Sequence, residues 1–281
     1  MNIKIIADSG CDISQEEANA LGIQILPLKS RFGMEEYLDG VTMTHEEFYT
    51  KLIETDIFPA TSQITPYEYG QVFEEALKDH DYVVCVTLSS KLSGCYQSAY
   101  VAAEDFDGRV GVIDAKHVSV AIRILILRIL ELSKNYETLE EAMPAFEDAR
   151  DHVRILAMLD TLEYLKKGGR ISSAVAFAGT LLSIKPVVTV TDGEVVLLGQ
   201  ARGSKAVNNK LRELLESEDV DYSLPCALGY TGLSDFVLKK YLEDNKSLYE
   251  DKLDSISISS IGCAIGTHVG PGAIAVAFFV K

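Results

Sequence analysis

Two α/β domains are the architecture to which this chain's pattern points, on three observations. At 281 residues it is about twice the usual domain length, so each half is large enough to bury its own core. Strand-length apolar runs alternate with amphipathic helical segments through the first half, the mark of parallel strands joined by crossover helices. In the second half Asp192-Gly193 stands between the runs Val187 to Thr191 and Glu194 to Leu198, a strong hairpin signal that calls for an antiparallel element. The boundary is expected near residue 150, giving an N-terminal α/β domain over 1–150 and a C-terminal α+β domain over 151–281.

Taken in order, Ile3 to Ala7 reads as a buried strand. Ser14 with Glu17, Thr44 with Glu47, and Thr65 with Glu68 behind Pro66 have capping-box spacing. In that motif a hydroxyl and a carboxylate satisfy each other's backbone N–H, so helices are expected to start at these three points. Gly22 should close the first. Tyr82 to Leu88 is a strand running into a Ser/Gly loop and a helix from about Tyr96, and Arg109 to Ile113 a strand running into Asp114 and a long helix. On that helix, at about 100° per residue, Arg123, Arg128, Glu131 and Lys134 gather on one side and Ile122, Leu125, Ile126 and Ile129 on the other, which places the arginines in solvent. Thr138 with Glu141 caps another helix, and Arg154 to Leu159 begins a strand pattern. Helices at Ser204 to Glu216 and Ser234 to Asp244 then alternate with strands at Ala227 to Tyr230, Ser255 to Ser259 and Ala273 to Val280.

Composition removes several function classes. Forty-two acidic against twenty-six basic residues leave a net charge of -16, which repels phosphate backbones and anionic membrane surfaces, so nucleic acid is not an expected partner. The opening Met-Asn-Ile-Lys-Ile-Ile-Ala-Asp has too short an apolar run and too early a carboxylate for a signal peptide. The longest apolar stretch, Val118 to Leu132, is broken by Arg123 and Arg128 and falls short of the roughly 20 residues that span a bilayer, so no stable membrane insertion is expected. Cys11, Cys85, Cys95, Cys226 and Cys263 are scattered and odd in number, which indicates neither a disulfide framework nor a zinc site and fits a cytoplasmic location.

Three segments carry candidate chemistry. Pro59-Ala-Thr-Ser-Gln63 puts two hydroxyls, Thr61 and Ser62, on a short connector; on spacing alone it reads first as a turn capping itself. In Leu88-Ser-Ser-Lys-Leu-Ser-Gly-Cys95, Ser93 and Gly94 lie where a strand feeds a helix, a place whose free N–H groups and dipole favour an anion, although Ser93 is also a plausible plain N-cap. Ile261-Gly-Cys-Ala-Ile-Gly-Thr-His268-Val-Gly-Pro-Gly272 sets an imidazole among glycines that let a ligand approach the main chain, with Pro271 to stiffen the turn. Two hydroxyl loops, a helix N-terminus and an imidazole are the donors one gathers around a carboxylate.

Read together, these three segments resemble the DegV family of bacterial fatty-acid-binding proteins, which includes the acyl-carrying subunits of fatty acid kinase. The likeness runs nearly end to end and takes in Asp8-Ser-Gly-Cys-Asp12 and Leu162-Glu-Tyr-Leu-Lys-Lys-Gly-Gly-Arg-Ile-Ser172. It implies a two-domain DegV-like α/β fold: a Rossmann-like parallel-sheet domain, a second domain with an antiparallel or mixed sheet, and a ligand between them. It further implies that a long-chain fatty acid's carboxylate is held by Thr61, Ser93 and His268, with Ser62 and the Gly94 backbone as second partners. The chain would then use no cofactor and no metal, and would not itself be an enzyme. Leu162 to Leu165, Val175 to Leu182 and Ala273 to Phe279 are candidate tail-lining segments. One departure from many relatives is the absence of a glycine-rich helix start after Asp114, where Ala121 and Ile122 add bulk.

Function divides between two classes. A carrier would present the acyl carboxylate to a separate ATP-dependent fatty acid kinase, since the chain lacks a Gly-x-x-x-x-Gly-Lys-Ser/Thr loop. Arg170 and Arg202, with Lys166, Lys167, Lys185 and Lys205, could then form one basic docking face in an acidic chain; a solvated helix end before Gly168 explains the two adjacent lysines equally well. The alternative is an acyl hydrolase with Ser93 as nucleophile and His268 as base, against which no Gly-x-Ser-x-Gly elbow occurs.

Overall fold

A computed structural model describes residues 1–171, 184–249 and 256–281. The first half runs β1 (Ile3–Asp8), α1 (Gln15–Leu21), β2 (Gln24–Leu26), β3 (Lys29–Phe32), β4 (Glu35–Leu38), α2 (His45–Glu54), β5 (Ala60–Ser62), α3 (Pro66–Ala76), β6 (Tyr82–Thr87), α4 (Cys95–Ala103), β7 (Val110–Asp114), α5 (Val120–Leu132) and α6 (Leu139–Asp151). The second runs β8 (Val153–Met158), α7 (Glu163–Lys167), β9 (Ile184–Thr191), β10 (Glu194–Arg202), α8 (Ser204–Glu216), β11 (Ala227–Tyr230), α9 (Phe236–Asp244), α10 (Lys246–Tyr249), β12 (Ser257–Ser260), α11 (Cys263–Val269) and β13 (Ile274–Phe279).

The apolar runs of the first half form a parallel sheet in the order β2-β1-β6-β7. Ile5 to Ala7 and Val83 to Val86 are buried throughout, as strands covered on both faces must be. Thr44 and Thr65 form complete capping boxes. Ser14 accepts the Glu17 N–H, but the Glu17 carboxylate is drawn away to Arg123, so that box is only half made. Gly22, at φ 72°, ends α1.

Residues 59–63 are more ordered than a connector. Ala60 to Ser62 pair with β3, Thr61 standing opposite Ser30, in a small antiparallel sheet of order β4-β3-β5. Backbone pairing, rather than a self-capping turn, therefore sets the direction of Thr61.

The second half builds a mixed sheet, β10-β9-β8-β13-β11-β12. Its hairpin turns at Asp192 and Gly193, both with positive φ (50° and 84°), the geometry whose twist suits antiparallel strands. The pairing extends to Arg202 opposite Ile184, past a bulge at Leu197/Gly199. β13 lies inside this sheet between β8 and β11. Its Ala275, Ala277 and Phe279 join one core and its Ile274, Val276 and Phe278 another, so the strand is core on both faces.

Helix α5 corrects one expectation. It packs against β8, β11 and β13 as well as α6, and at Arg123 the side assigned to solvent is covered by α1 and β12. Arg123 is only 6% exposed, and its guanidinium donates to both Glu17 oxygens, the Asp12 carbonyl and the Ser257 hydroxyl. A helical wheel shows which residues share a side, not what that side faces. Arg128 does lie toward solvent, paired with Glu131.

Candidate functional site

His268 sits on the last turn of α11, not in the glycine turn that follows. Buried carboxylates from the first half hold the start of this helix. Asp39 accepts the Cys263 and Ala264 N–H groups at 2.8 and 3.1 Å and the Ser9 hydroxyl at 2.9 Å. Asp12 accepts the Gly262 N–H at 2.8 Å and the Ser119 hydroxyl at 2.5 Å. Three N–H groups otherwise left orphaned at the positive end of the helix are thereby satisfied. From α2, the Tyr49 hydroxyl donates to the Ile261 carbonyl at 3.0 Å, and a Cβ on Gly266 would stand 2.5 Å from that hydroxyl. Gly266 is needed for close packing against α2. Gly270, at φ 72°, then turns the chain against the Tyr164 ring.

The helix so placed brings the imidazole to β5: His268 Nε2 lies 3.1 Å from Thr61 Oγ1. Both line a cavity of about 150 Å³ between the two halves of the chain. Its apolar wall includes Leu28, Leu88 and Val118 from the first half and Leu165, Val195 and Val269 from the second. Its polar wall holds Thr61, Ser62, Ser93, Gly94, Arg170 and His268. The five residues expected around a carboxylate thus share one cavity.

Local chemistry explains each placement. The Ser93 hydroxyl accepts the Cys95 N–H at 3.3 Å, and Gly94, the residue preceding α4, has no side-chain cap. Gln63 lies over Gly94, where a Cβ would meet its Oε1 at 1.8 Å, and donates to Ser98 at 2.9 Å. Ser62 is exposed on the cavity's rim. Burial, aided by the neighbouring Arg170 charge, pushes the His268 imidazole down to about 4, so the ring is neutral near pH 7. Its Nδ1 is buried without a hydrogen-bond partner.

Arg170 stands elsewhere than on an exposed docking face. It is half-buried in the cavity wall, donating from Nε to the Leu92 carbonyl at 3.1 Å and from Nη1 to the Gly168 carbonyl at 2.6 Å. The turn at Gly168-Gly169 sends the chain back toward the Ser89 to Gly94 loop, which residue spacing does not reveal. Arg202 is exposed at the end of β10. Two lysines of the expected basic face are neutralised, Lys167 by Glu163 and Lys185 by Asp160.

Of the expected tail segments, Leu165 lines the cavity, whereas β13 is sheet core and its place is taken by Ala264, Ile265 and Val269 of the preceding helix. Val175 to Leu182, Ser172 and Ser255 lie outside the described residues. Ala121 and Ile122 are fully buried away from the lining, and Val118 is the residue of that region that reaches it. Sequence reasoning missed Asp39 and Gln63, neither of which carries a spacing signal. Among the described residues no group of histidine, cysteine and carboxylate side chains is arranged to hold a metal, and no helix is long and apolar enough to cross a membrane.

This fold and cavity have counterparts. A family model described as "Uncharacterised protein, DegV family" matches residues 2–281. A DegV domain-containing protein of Caldanaerobacter subterraneus subsp. tengcongensis is 33% identical over 282 residues, covering 99% of each chain. Among solved structures, a DegV family protein of Thermus thermophilus described for its fatty acid binding superposes with a TM-score of 0.88 at 31% identity, covering 100% of both chains. The fatty acid kinase (Fak) B3 protein of Streptococcus pneumoniae, loaded with linoleic acid, superposes at 0.83 over 100% of both chains with 21% identity, a likeness of fold alone. With the family model matched almost end to end and a third of the residues shared with a relative over its whole length, the chain belongs to the DegV family.

Proposed function

We propose that this chain binds a long-chain fatty acid in the cavity between its two halves and presents the carboxylate to a separate ATP-dependent fatty acid kinase. The observation that carries the reading is the Thr61–His268 contact on the wall of an apolar-lined cavity. Thr61, Ser93 and His268 hold the carboxylate, Ser62 and the Gly94 backbone assist, and Arg170 supplies a fixed positive charge beside the imidazole. An arriving carboxylate offsets the burial that keeps His268 neutral, so the ring takes up a proton and becomes a charged donor.

The tail supplies most of the affinity. About 15 methylenes at roughly 0.8 kcal/mol each exceed the roughly 1.5–3 kcal/mol of each charge-assisted bond at the head. The cavity, at about 150 Å³, is below the roughly 300–1,000 Å³ of ordinary ligand pockets. It takes the head and the first methylenes, and half-buried side chains such as Leu92 and Val195 move aside for the rest. In the kinase step a carboxylate oxygen attacks the γ-phosphorus of ATP on the partner, the bond to the bridging oxygen breaks, and ADP leaves behind an acyl phosphate. Arg202, exposed on the second half, serves partner docking. The hydrolase alternative needs His268 on Ser93, whereas His268 Nε2 is engaged with Thr61 and the Ser93 hydroxyl with Cys95 N–H.

Native mass spectrometry and organic extraction test the carrier reading: one fatty acid per chain is expected. No recovered lipid, together with no binding of added palmitate, overturns it. Trapping acyl phosphate with hydroxylamine after adding a fatty acid kinase and ATP tests the presentation step separately.

A further inference from the structure

The two hydroxyl segments of the head-group site belong to different sheets. Thr61 and Ser62 lie on β5, which β3 holds in the small antiparallel sheet, whereas Ser93 and Gly94 lie in the loop that leads from β6 of the parallel sheet into α4. The pairing within either sheet does not set the distance between them. Gln63 bridges the gap. It directly follows β5, is exposed at the cavity's rim, and donates from Nε2 to Ser98 Oγ at 2.9 Å. Ser98 is buried in α4, and its own N–H closes the first turn of that helix on the Gly94 carbonyl at 3.0 Å.

Gly94 records how close this side chain comes. At φ -81° and ψ 3° its backbone is open to any residue, so conformation does not call for glycine there. Space does: a Cβ would stand 1.8, 2.6 and 2.8 Å from Gln63 Oε1, Cδ and Nε2, so the whole carboxamide lies against the Gly94 main chain. A bond from the Ile64 N–H to the Cys95 sulfur runs beside this tie and is the weaker of the two, since sulfur is a poor acceptor.

We infer that Gln63 is a positioning residue of the head-group site: its carboxamide, bonded to Ser98 and packed on Gly94, fixes Ser93 and the Gly94 main chain at the spacing from Thr61 and Ser62 that a carboxylate requires. The inference rests on the carrier reading above. Hydrogen bonds weaken steeply once distance or angle leaves a narrow range, so a loop that drifts loses affinity even with every donor present.

Ser98→Ala is the decisive variant. Ser98 does not line the cavity, alanine suits a helix interior, and Gln63, at the rim, exchanges its lost partner for water. The fold and its unfolding midpoint should therefore hold while the carboxamide comes loose. Calorimetric titration of delipidated full chain with palmitate and with methyl palmitate reads the effect. Ser98→Ala and Gln63→Leu should each weaken palmitate about threefold to tenfold, the range of one neutral hydrogen bond, and leave the ester nearly unchanged. Gly94→Ala pushes the carboxamide away, and its loss should not add to that of Gln63→Ala, which empties the space the new methyl takes. Parental palmitate affinity in Ser98→Ala overturns the inference, even where Gln63→Leu weakens binding, since that pattern makes Gln63 a direct contact of the carboxylate. Equal losses for acid and ester, or additive losses in the Gln63→Ala, Gly94→Ala pair, overturn it too. A parent that binds neither lipid fails the carrier reading and takes the inference with it, whereas a parent that prefers palmitate, matched by its variants, leaves that reading standing and sinks the inference alone.

Discussion

Replacing Gly168 by alanine displaces His268 without straining the backbone. Gly168 ends α7 at φ -74° and ψ -11°, a right-handed helical conformation that alanine adopts freely. The added methyl would sit 2.1 Å from His268 Nδ1 and 2.9 Å from Cε1, where ordinary contact begins at 3.4 Å. The ring must therefore move by more than about 1 Å, and its 3.1 Å contact with Thr61 does not survive such a shift in bonding geometry. Losing one charge-assisted head-group bond costs about 1.5–3 kcal/mol, or roughly 10- to 150-fold in fatty acid affinity. Calorimetric titration of delipidated protein with palmitate measures this, and methyl palmitate supplies the comparison, because the ester keeps the tail and loses the charged head. The difference between parent and variant should nearly vanish for the ester. Gly70→Ala is the control, for a Cβ there meets nothing within 4 Å. Parental affinity for palmitate in Gly168→Ala, or an equal loss for acid and ester, refutes the assignment of His268 to the head group.

Thr61→Val and Ser93→Ala each remove a head-group donor and little apolar area, so each should weaken palmitate by about 1–3 kcal/mol while leaving the unfolding midpoint nearly unchanged; parental binding in both counts against the site. Arg170→Ala should lose fatty acid affinity, because it takes a cation from the cavity wall and the tie between the Leu92 and Gly168 carbonyls. Arg202→Ala should keep its lipid yet lower kinase-dependent acyl phosphate formation, with a deficit that shrinks at high salt; lipid loss in Arg202→Ala places that residue in the pocket instead. Burial pushes Asp8 and Asp12 up to about 7 and His117 and His268 down to about 4, against ordinary values of 3.8 and 6.5. Between roughly pH 4 and 6.5 the native carboxyls keep protons that the unfolded chain releases, so their contribution to stability falls as pH rises; the native imidazoles lack protons that the unfolded chain takes up, so theirs rises. The carboxyls oppose the imidazoles, to which His45, also lowered by burial, adds a smaller share, so the parent's urea midpoint should change only modestly across that window. Asp12→Asn should make stability rise with pH and His117→Gln make it fall, and a parental profile in both variants refutes the balance.

Much of the fold was legible because its signals are local. Thr44 with Glu47 and Thr65 with Glu68 mark helix starts through bonds spanning three residues, and Asp192-Gly193 marks the hairpin through its own backbone angles. The small β4-β3-β5 sheet escaped notice, since its strands are only three or four residues long and show no alternation long enough to count. The candidate residues Thr61, Ser62, Ser93, Gly94 and His268 were named from motifs and resemblance, but no spacing shows that they face one cavity.

By itself the sequence determined where helices begin, where the hairpin turns, which runs are apolar enough to be buried, and that the chain resembles the DegV family. Tertiary structure alone decided that His268 meets Thr61 across 207 residues of chain, that Asp39 and Asp12 clamp the helix carrying it, and that Arg123 and Arg170 turn inward. The division has a physical cause. Caps and turns are set by backbone groups a few residues apart, whose satisfaction is the same in any fold, whereas the surroundings of a side chain depend on which distant element packs against it, and periodicity records only the direction in which that side chain points.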